Sequence, residues 1–175
     1  MAIKLSHRQN DVIVKSPTTP VLFLHGLDSS SHTWRHILSD LEALERPIPS
    51  VALDLRGCGY SDLGDPNDFN PDSLVEDIHE FVSNSNSGHE YFQRHNSQKF
   101  VLCGHSMGGR IAMSYAAKYP EDIAALIIED MDIRERAMSS NKFQRRKCNL
   151  DREATISFDR HLTDVRTDDE VVKDI

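Results

Sequence analysis

The sequence predicts an α/β fold, with a mostly parallel sheet carrying helices on both faces. Three observations predict it. Strand-sized apolar runs stand at Pro20–Leu24, Ser50–Leu55, Phe100–Cys103 and Ala124–Glu129. Stretches with apolar residues at helical spacing separate these runs, and the first three lead into loops rich in glycine and small polar residues. Continuously apolar strands suit a sheet covered on both faces. Strands that alternate with helices pair in parallel through right-handed crossovers.

The elements follow in order. Ile3-Lys4-Leu5 and Val12-Ile13-Val14 are weak strand signals closed by Ser16-Pro17, and they predict a hairpin at the sheet edge. Pro20–Leu24 predicts a central strand and opens into the small-residue loop His25-Gly26-Leu27-Asp28-Ser29-Ser30. Trp34, Ile37, Leu38, Leu41 and Leu44 then recur at helical spacing, with Ser30 or Ser31 as the cap. The strand Ser50–Leu55 ends in Arg56-Gly57-Cys58-Gly59-Tyr60-Ser61-Asp62. Asn70-Pro71 opens a helix with Leu74, Ile78, Phe81 and Val82 along one face. Asn84 to Lys99 is polar and predicts a loop. Phe100–Cys103 is a buried strand, Ile111, Ala112, Tyr115, Ala116 and Tyr119 mark a helix, and Tyr119-Pro120-Glu121 stops it. Ala124–Glu129 is one more buried strand, ending at Asp130. In parallel sheets, ligands lie beyond the carboxyl ends of the strands. Gly26, Gly57, Ser106 and Asp130 are all expected on that rim.

Composition narrows the class. A chain of 175 residues, 38% hydrophobic and 27% charged, suits one globular core. A net charge of −8 argues against nucleic acid or an anionic membrane as the main partner. No apolar run reaches the length of a membrane span, and the amino terminus lacks the apolar core of a secretory signal. Cys58, Cys103 and Cys148 have no metal-ligand spacing, which points to free thiols in the cytoplasm or another reducing compartment such as the mitochondrial matrix. His32 and His36 lack a third ligand and read as a solvated helix face, so neither metal nor cofactor is expected. After residue 133 the chain changes character. Residues 134–147 hold six basic residues and one acidic one, and 151–175 is acidic, with Thr167-Asp168-Asp169-Glu170 as a capping box. The basic run reads as a solvated hinge, with attraction of an anionic substrate as the sharper alternative.

The centre of the chain is Gly104-His105-Ser106-Met107-Gly108, a G-x-S-x-G between a buried strand and a helix. That context is the nucleophile elbow. The turn holds the serine in a strained conformation, and side chains two residues either side would collide with strand and helix. Ser106 then stands at the positive end of the helix, where the Met107 N–H can meet a developing oxyanion.

His25-Gly26, Asp54-Leu55-Arg56-Gly57-Cys58-Gly59-Tyr60-Ser61 and Gly104-His105-Ser106-Met107-Gly108-Gly109 together resemble three successive signatures of the α/β-hydrolase superfamily, over about residues 20–133. The chain is most similar to the cap-bearing esterase branch that includes the α/β-hydrolase domain-containing 11 proteins and their bacterial relatives. The resemblance implies a hydrolase core over 1–133 and the start of a helical cap over 134–175. It implies that Asp130 is the triad acid, with Asp132 as its rival, and that the Leu27 N–H is the second oxyanion donor. His25, Gly26 and His105 would line the pocket, His25 as a structural turn residue and His105 as a packing residue pointing away from the serine. The family's catalytic histidine follows the last strand, beyond a cap. The expectation is therefore a fragment lacking the last core strands and that histidine, with His161 weighed as a stand-in base against a solvated helix residue.

The implied activity is a serine hydrolase acting on a small-molecule ester or thioester through an acyl-serine, with no nucleic-acid partner. The alternatives are an inactive α/β-hydrolase-like binding protein and a lyase or C–C hydrolase using the same triad, with which Gly108-Gly109-Arg110 is compatible. Epoxide hydrolases and haloalkane dehalogenases of the superfamily need a carboxylate where Ser106 stands. Asp54 and Arg56 read as residues that pin the strand-end loop.

Overall fold

A computed structural model describes residues 3–12, 18–83, 88–95 and 99–131. Among these residues, five strands form one sheet: β1 (His7–Gln9), β2 (Val21–Leu24), β3 (Ser50–Leu53), β4 (Phe100–His105) and β5 (Ile123–Glu129), in the spatial order β1-β3-β2-β4-β5. β1 is antiparallel to β3, and the other neighbours are parallel. Among the described residues, four α-helices accompany them: α1 (Arg35–Glu42), α2 (Pro71–Ser83), α3 (Gly88–Arg94) and α4 (Met107–Lys118). This is the α/β architecture the apolar runs predict.

The period-two geometry of the strands sorts their side chains to two faces. Leu22, Leu24, Val51, Leu53 and Leu102 join Leu74, Ile78, Phe81, Ile111 and Tyr115 in the larger core beneath α2 and α4. Phe23, Ala52 and Cys103 point the other way, onto Trp34 and Leu38 at α1. The Phe23 and Trp34 rings lie 4.7 Å apart.

Four expectations are corrected. The edge strand is His7–Gln9, not Ile3–Leu5. Residues 4–6 run beside the loop after β3 instead, where the Lys4 N–H bonds the Asp62 carboxylate and the Ser6 N–H bonds Ser61 Oγ. Their backbone partners are a loop and its side chains, so no ladder forms. Of Val12–Val14, residues 13 and 14 lie outside the described residues. Ile37 and Leu44 are 42% and 47% exposed, because α1 ends at Glu42 and Ile37 lies off the buried stripe. The polar stretch after α2 contains α3. Tyr91 and Phe92 anchor it by burial, and the Tyr91 hydroxyl donates toward Asn10 Oδ1 and the Ser50 carbonyl. Two adjacent apolar residues have no helical period, so the pattern did not announce it. Finally, β5 is largely exposed, with Leu126 and Ile127 at 39% and 50%. Among the described residues it is paired on one side only, by β4.

One buried ion pair fixes the loop after β3. Arg56 donates from Nε and Nη2 to the two Asp77 oxygens at 2.5 and 2.7 Å, and from Nη1 to the Asp68 carbonyl at 2.8 Å. Both residues are buried, so the fork-on-fork geometry is needed to offset the desolvation of the charges. The expected pinning role of Arg56 is thereby visible. The 134–147 run, Asp132, Cys148, His161 and the proposed cap over 134–175 lie outside the described residues.

Candidate active site

The strand registers bring the rim together. Leu24 pairs with Leu53 and with Gly104, and His105 pairs with Glu129. One step further along each strand therefore stand His25, Asp54, Ser106 and Asp130, at the carboxyl edge.

Ser106 has φ 51° and ψ −115°, outside the wells that serine prefers. Such a backbone costs about 1–3 kcal/mol and persists only where its surroundings over-determine it. Here they do. The Ser106 N–H continues the ladder to the Glu129 carbonyl at 3.0 Å, and its own carbonyl accepts the Gly109 N–H at 2.9 Å. A Cβ at Gly104 would overlap the Gly108 carbonyl, and one at Gly108 would lie 2.5 Å from the Leu24 oxygen and 2.6 Å from the His25 oxygen. Real Cβ atoms do not approach backbone so closely. The strand and the helix can meet at this sharp reversal because both positions lack a side chain. Ser106 makes no side-chain cap on α4, so its hydroxyl is not spent on the helix. The Met107 N–H, the first of α4, has no intrahelical acceptor by construction.

The β2 loop passes directly over this turn. A Cβ at Gly26 would sit 2.8 Å from His105 Nδ1 and 3.3 Å from Ser106 Cβ. The Leu27 peptide follows at once, and the residue is 39% exposed. His25 is fully buried. The Leu55 N–H donates to its Nε2 at 3.1 Å, so Nε2 carries no hydrogen and Nδ1 donates to the Gly26 carbonyl at 2.7 Å. Burial lowers its pKa against the smaller raising effects of that bond and of Asp54. With both nitrogens engaged, this imidazole is unavailable as a base.

His105 and Asp130 complete the rim. His105 Nε2 lies 3.9 Å from Asp130 Oδ2, and the Asp130 side chain is 90% exposed. Asp54 does more than pin its own loop. It is 2% exposed, accepts the Tyr60 N–H at 3.0 Å as expected of a loop pin, and also accepts the Ser31 N–H at 2.6 Å across the rim. Burial pushes its pKa up, but the amide bonds from Tyr60 and Ser31 outweigh it and hold the carboxyl below the usual range. Among the described residues, no group of three or more His, Cys, Asp or Glu is arranged to hold a metal ion, and no helix is long and apolar enough to cross a membrane. Cys103 is a free, buried thiol.

A strained serine between a parallel strand and a helix, at the carboxyl rim of a mixed sheet, defines the α/β-hydrolase class. The profile of the alpha/beta hydrolase fold family matches residues 19–150, and the chain belongs to that family. It is 34% identical over 134 residues to ethanol acetyltransferase 1 of Kluyveromyces marxianus, a match covering 74% of this chain and 33% of that protein. It is 36% identical over 109 residues to epoxide hydrolase 4 of Mus musculus, covering 62% of this chain and 27% of the relative. Monoacylglycerol lipase ABHD6 of Homo sapiens is 32% identical over 108 residues, with coverage of 62% and 29%. The chain thus spans about a third of the length of the curated relatives it matches. Among solved structures, a marine microorganism esterase superposes with a TM-score of 0.59 at 26% identity, covering 79% of this chain and 46% of that one. An epoxide hydrolase from Bacillus megaterium gives 0.60 at 26% identity, covering 79% and 45%.

Proposed function

We propose that this chain carries the nucleophile of a serine hydrolase that cleaves carboxylic esters or thioesters through an acyl-serine intermediate. Ser106 Oγ attacks the acyl carbon while a histidine takes its proton. The carbonyl electron pair moves onto oxygen, and the Leu27 and Met107 amides hold that charge. Collapse expels the alcohol or thiol, protonated by the same histidine, and water then releases the acid from Ser106. Asp130 orients the histidine and stabilises its imidazolium form. No histidine of the described residues is assigned that role.

The observation that carries this reading is the Ser106 backbone. A non-glycine residue at φ 51°, wedged between two glycines that tolerate no Cβ, is strain stored where a reacting hydroxyl has to stand clear of the turn. The relatives' names support acyl chemistry, as esterase, lipase and acetyltransferase. The acetyltransferase extends the reading to acyl transfer onto an alcohol, in which the same acyl-serine is resolved by an alcohol in place of water. The epoxide hydrolases share the fold. A hydroxyl opening an epoxide would leave an ether with no carbonyl for water to attack, so Ser106 favours acyl over epoxide substrates.

A second reading, a ligand-binding protein of the same fold without turnover, is favoured by one observation. The Asp130 carboxylate is almost wholly exposed, and the imidazole it meets belongs to the elbow strand itself. A fluorophosphonate probe separates the two, because labelling requires an activated serine. The full-length protein is expected to label at Ser106 by mass spectrometry, and its Ser106→Ala variant is expected not to. A folded full-length protein that resists the probe would move the assignment to the second reading.

A further inference from the structure

Two adjacent residues at the end of β3 hold both ends of the loop that carries Leu27. At its start, the Leu55 N–H donates to His25 Nε2 at 3.1 Å. At its finish, the Ser31 N–H donates to Asp54 Oδ1 at 2.6 Å. Between these two anchors lie Gly26, whose Cα faces Ser106, and Asp28, with φ 56°. The second Asp54 oxygen accepts the Tyr60 N–H at 3.0 Å. Gly59, at φ +54°, lets the 57–60 turn close over the carboxylate, since a Cβ there would overlap it. Asp54 is nearly fully buried, and backbone amides from two separate loops take its two oxygens.

We propose that Asp54 is a positioning residue for the reaction: it acts through the Ser31 amide to hold the 25–31 loop so that the Leu27 N–H faces the oxygen that gains charge when Ser106 attacks. The inference rests on the Ser106 reading given above. Asp54 touches no substrate. It works because a peptide N–H stabilises an oxyanion only when its direction is fixed beforehand, and a loop tied at one end swings about the other. A buried carboxylate that accepts a charge-assisted bond from a backbone amide is a stiffer tie than a neutral side chain can make. Burial keeps water from competing for it. The same carboxylate couples this loop to the 57–60 turn, so the two loops hold their places together.

The test uses the full-length protein and two variants of it. Asp54→Asn keeps the shape but turns an N–H₂ group toward one of the two amide donors. Ser31→Pro deletes the donor side, removing the backbone N–H and with it the Ser31 hydroxyl that also bonds Asp54. Ser31 is the first residue of a 3₁₀ turn and Ser30 is extended at φ −157°, so proline is sterically accommodated there. Backbone amide exchange and fluorophosphonate labelling are read side by side, with the melting midpoint as a check on folding. The expected result in both variants is faster exchange confined to residues 25–31 and 57–60, with α2 and α4 unchanged. Labelling at Ser106 is expected to slow about 10- to 100-fold. Three results overturn the proposal: unchanged exchange in the loop, faster exchange spread evenly over the fold, or a loosened loop with wild-type labelling. Failure of the Ser106 reading looks different. There the wild-type chain itself does not label, and the proposal falls with it whatever the exchange shows.

Discussion

Ser106 and Asp130 leave neighbouring parallel strands one step beyond the His105–Glu129 pair, and both have a positive φ, 51° and 48°. Around Ser106 there is backbone in close contact on several sides: the Glu129 carbonyl, the Gly109 amide, and the two glycines against which no Cβ fits. Around Asp130 there is solvent, and one imidazole nitrogen at 3.9 Å. The difference follows from what each residue is. Aspartate visits left-handed backbone at low cost, so its exit from β5 needs no scaffolding. Serine at ψ −115° does not, so its strain has to be offset by packing close at hand. The rim teaches that a fold invests its tight contacts where a conformation would otherwise relax, and leaves a charge carrier free where geometry is cheap.

That contrast can be broken or sharpened by substitution, taken here in falling order of effect on stability. Gly108→Ala forces a methyl against the Leu24 and His25 carbonyls and is expected to cost about 3 kcal/mol or more, read as a lower urea midpoint. A near-neutral result would mean the elbow is looser than its contacts imply. Ser106→Gly relieves the strained backbone and is expected to stabilise the chain by about 1 kcal/mol while abolishing labelling. Loss of stability instead would show that no strain is stored there.

Acid probes the locked side without mutation. Burial, the largest cause in each case, lowers the pKa of His25, His95 and His7 from the ordinary 6.5. The unfolded chain therefore takes up protons first. Stability is full above about pH 6.5 and falls as pH drops through and below that value, toward the depressed folded-state values. Urea midpoints at about pH 7.5 and 5.5 measure this slope, and His95→Phe is expected to flatten it. Asp130→Ala closes the series. With its carboxylate exposed, it is expected to change stability by less than about 0.5 kcal/mol. On the Ser106–Asp130 reading it still slows labelling at least about tenfold, because the base loses its orienting partner. A large stability loss would mean that Asp130 is a structural cap instead.

The buried ion pair of Arg56 and Asp77 shows how sequence and structure divide the account. The sequence marked Arg56 as a pin, but its partner lies on α2, and no spacing rule connects a strand-end loop to the middle of a helix. The same holds for Asp54. Its bond to Tyr60, six residues away, belongs to a local turn, whereas its bond to Ser31 crosses between loops from different strands. α3 carries no period in the sequence because its burial comes from other parts of the chain, with Tyr91 on Asn10 and Ser50 and Phe92 on Phe100. The exposure of β5 was equally invisible, since a continuously apolar strand reads the same whether its faces are covered or open.

By itself, then, the sequence determined what short-range chemistry determines: which runs extend, which coil, and where two glycines let a strand turn into a helix with Ser106 at the corner. Only the tertiary structure decided which distant groups meet. It set Gly26 against Ser106, took both His25 nitrogens out of use, and made Asp54 a bridge between two loops. The physical reason is that propensity and strain act over a few neighbouring residues, whereas a hydrogen bond across the rim exists only after the parallel strands have fixed their register.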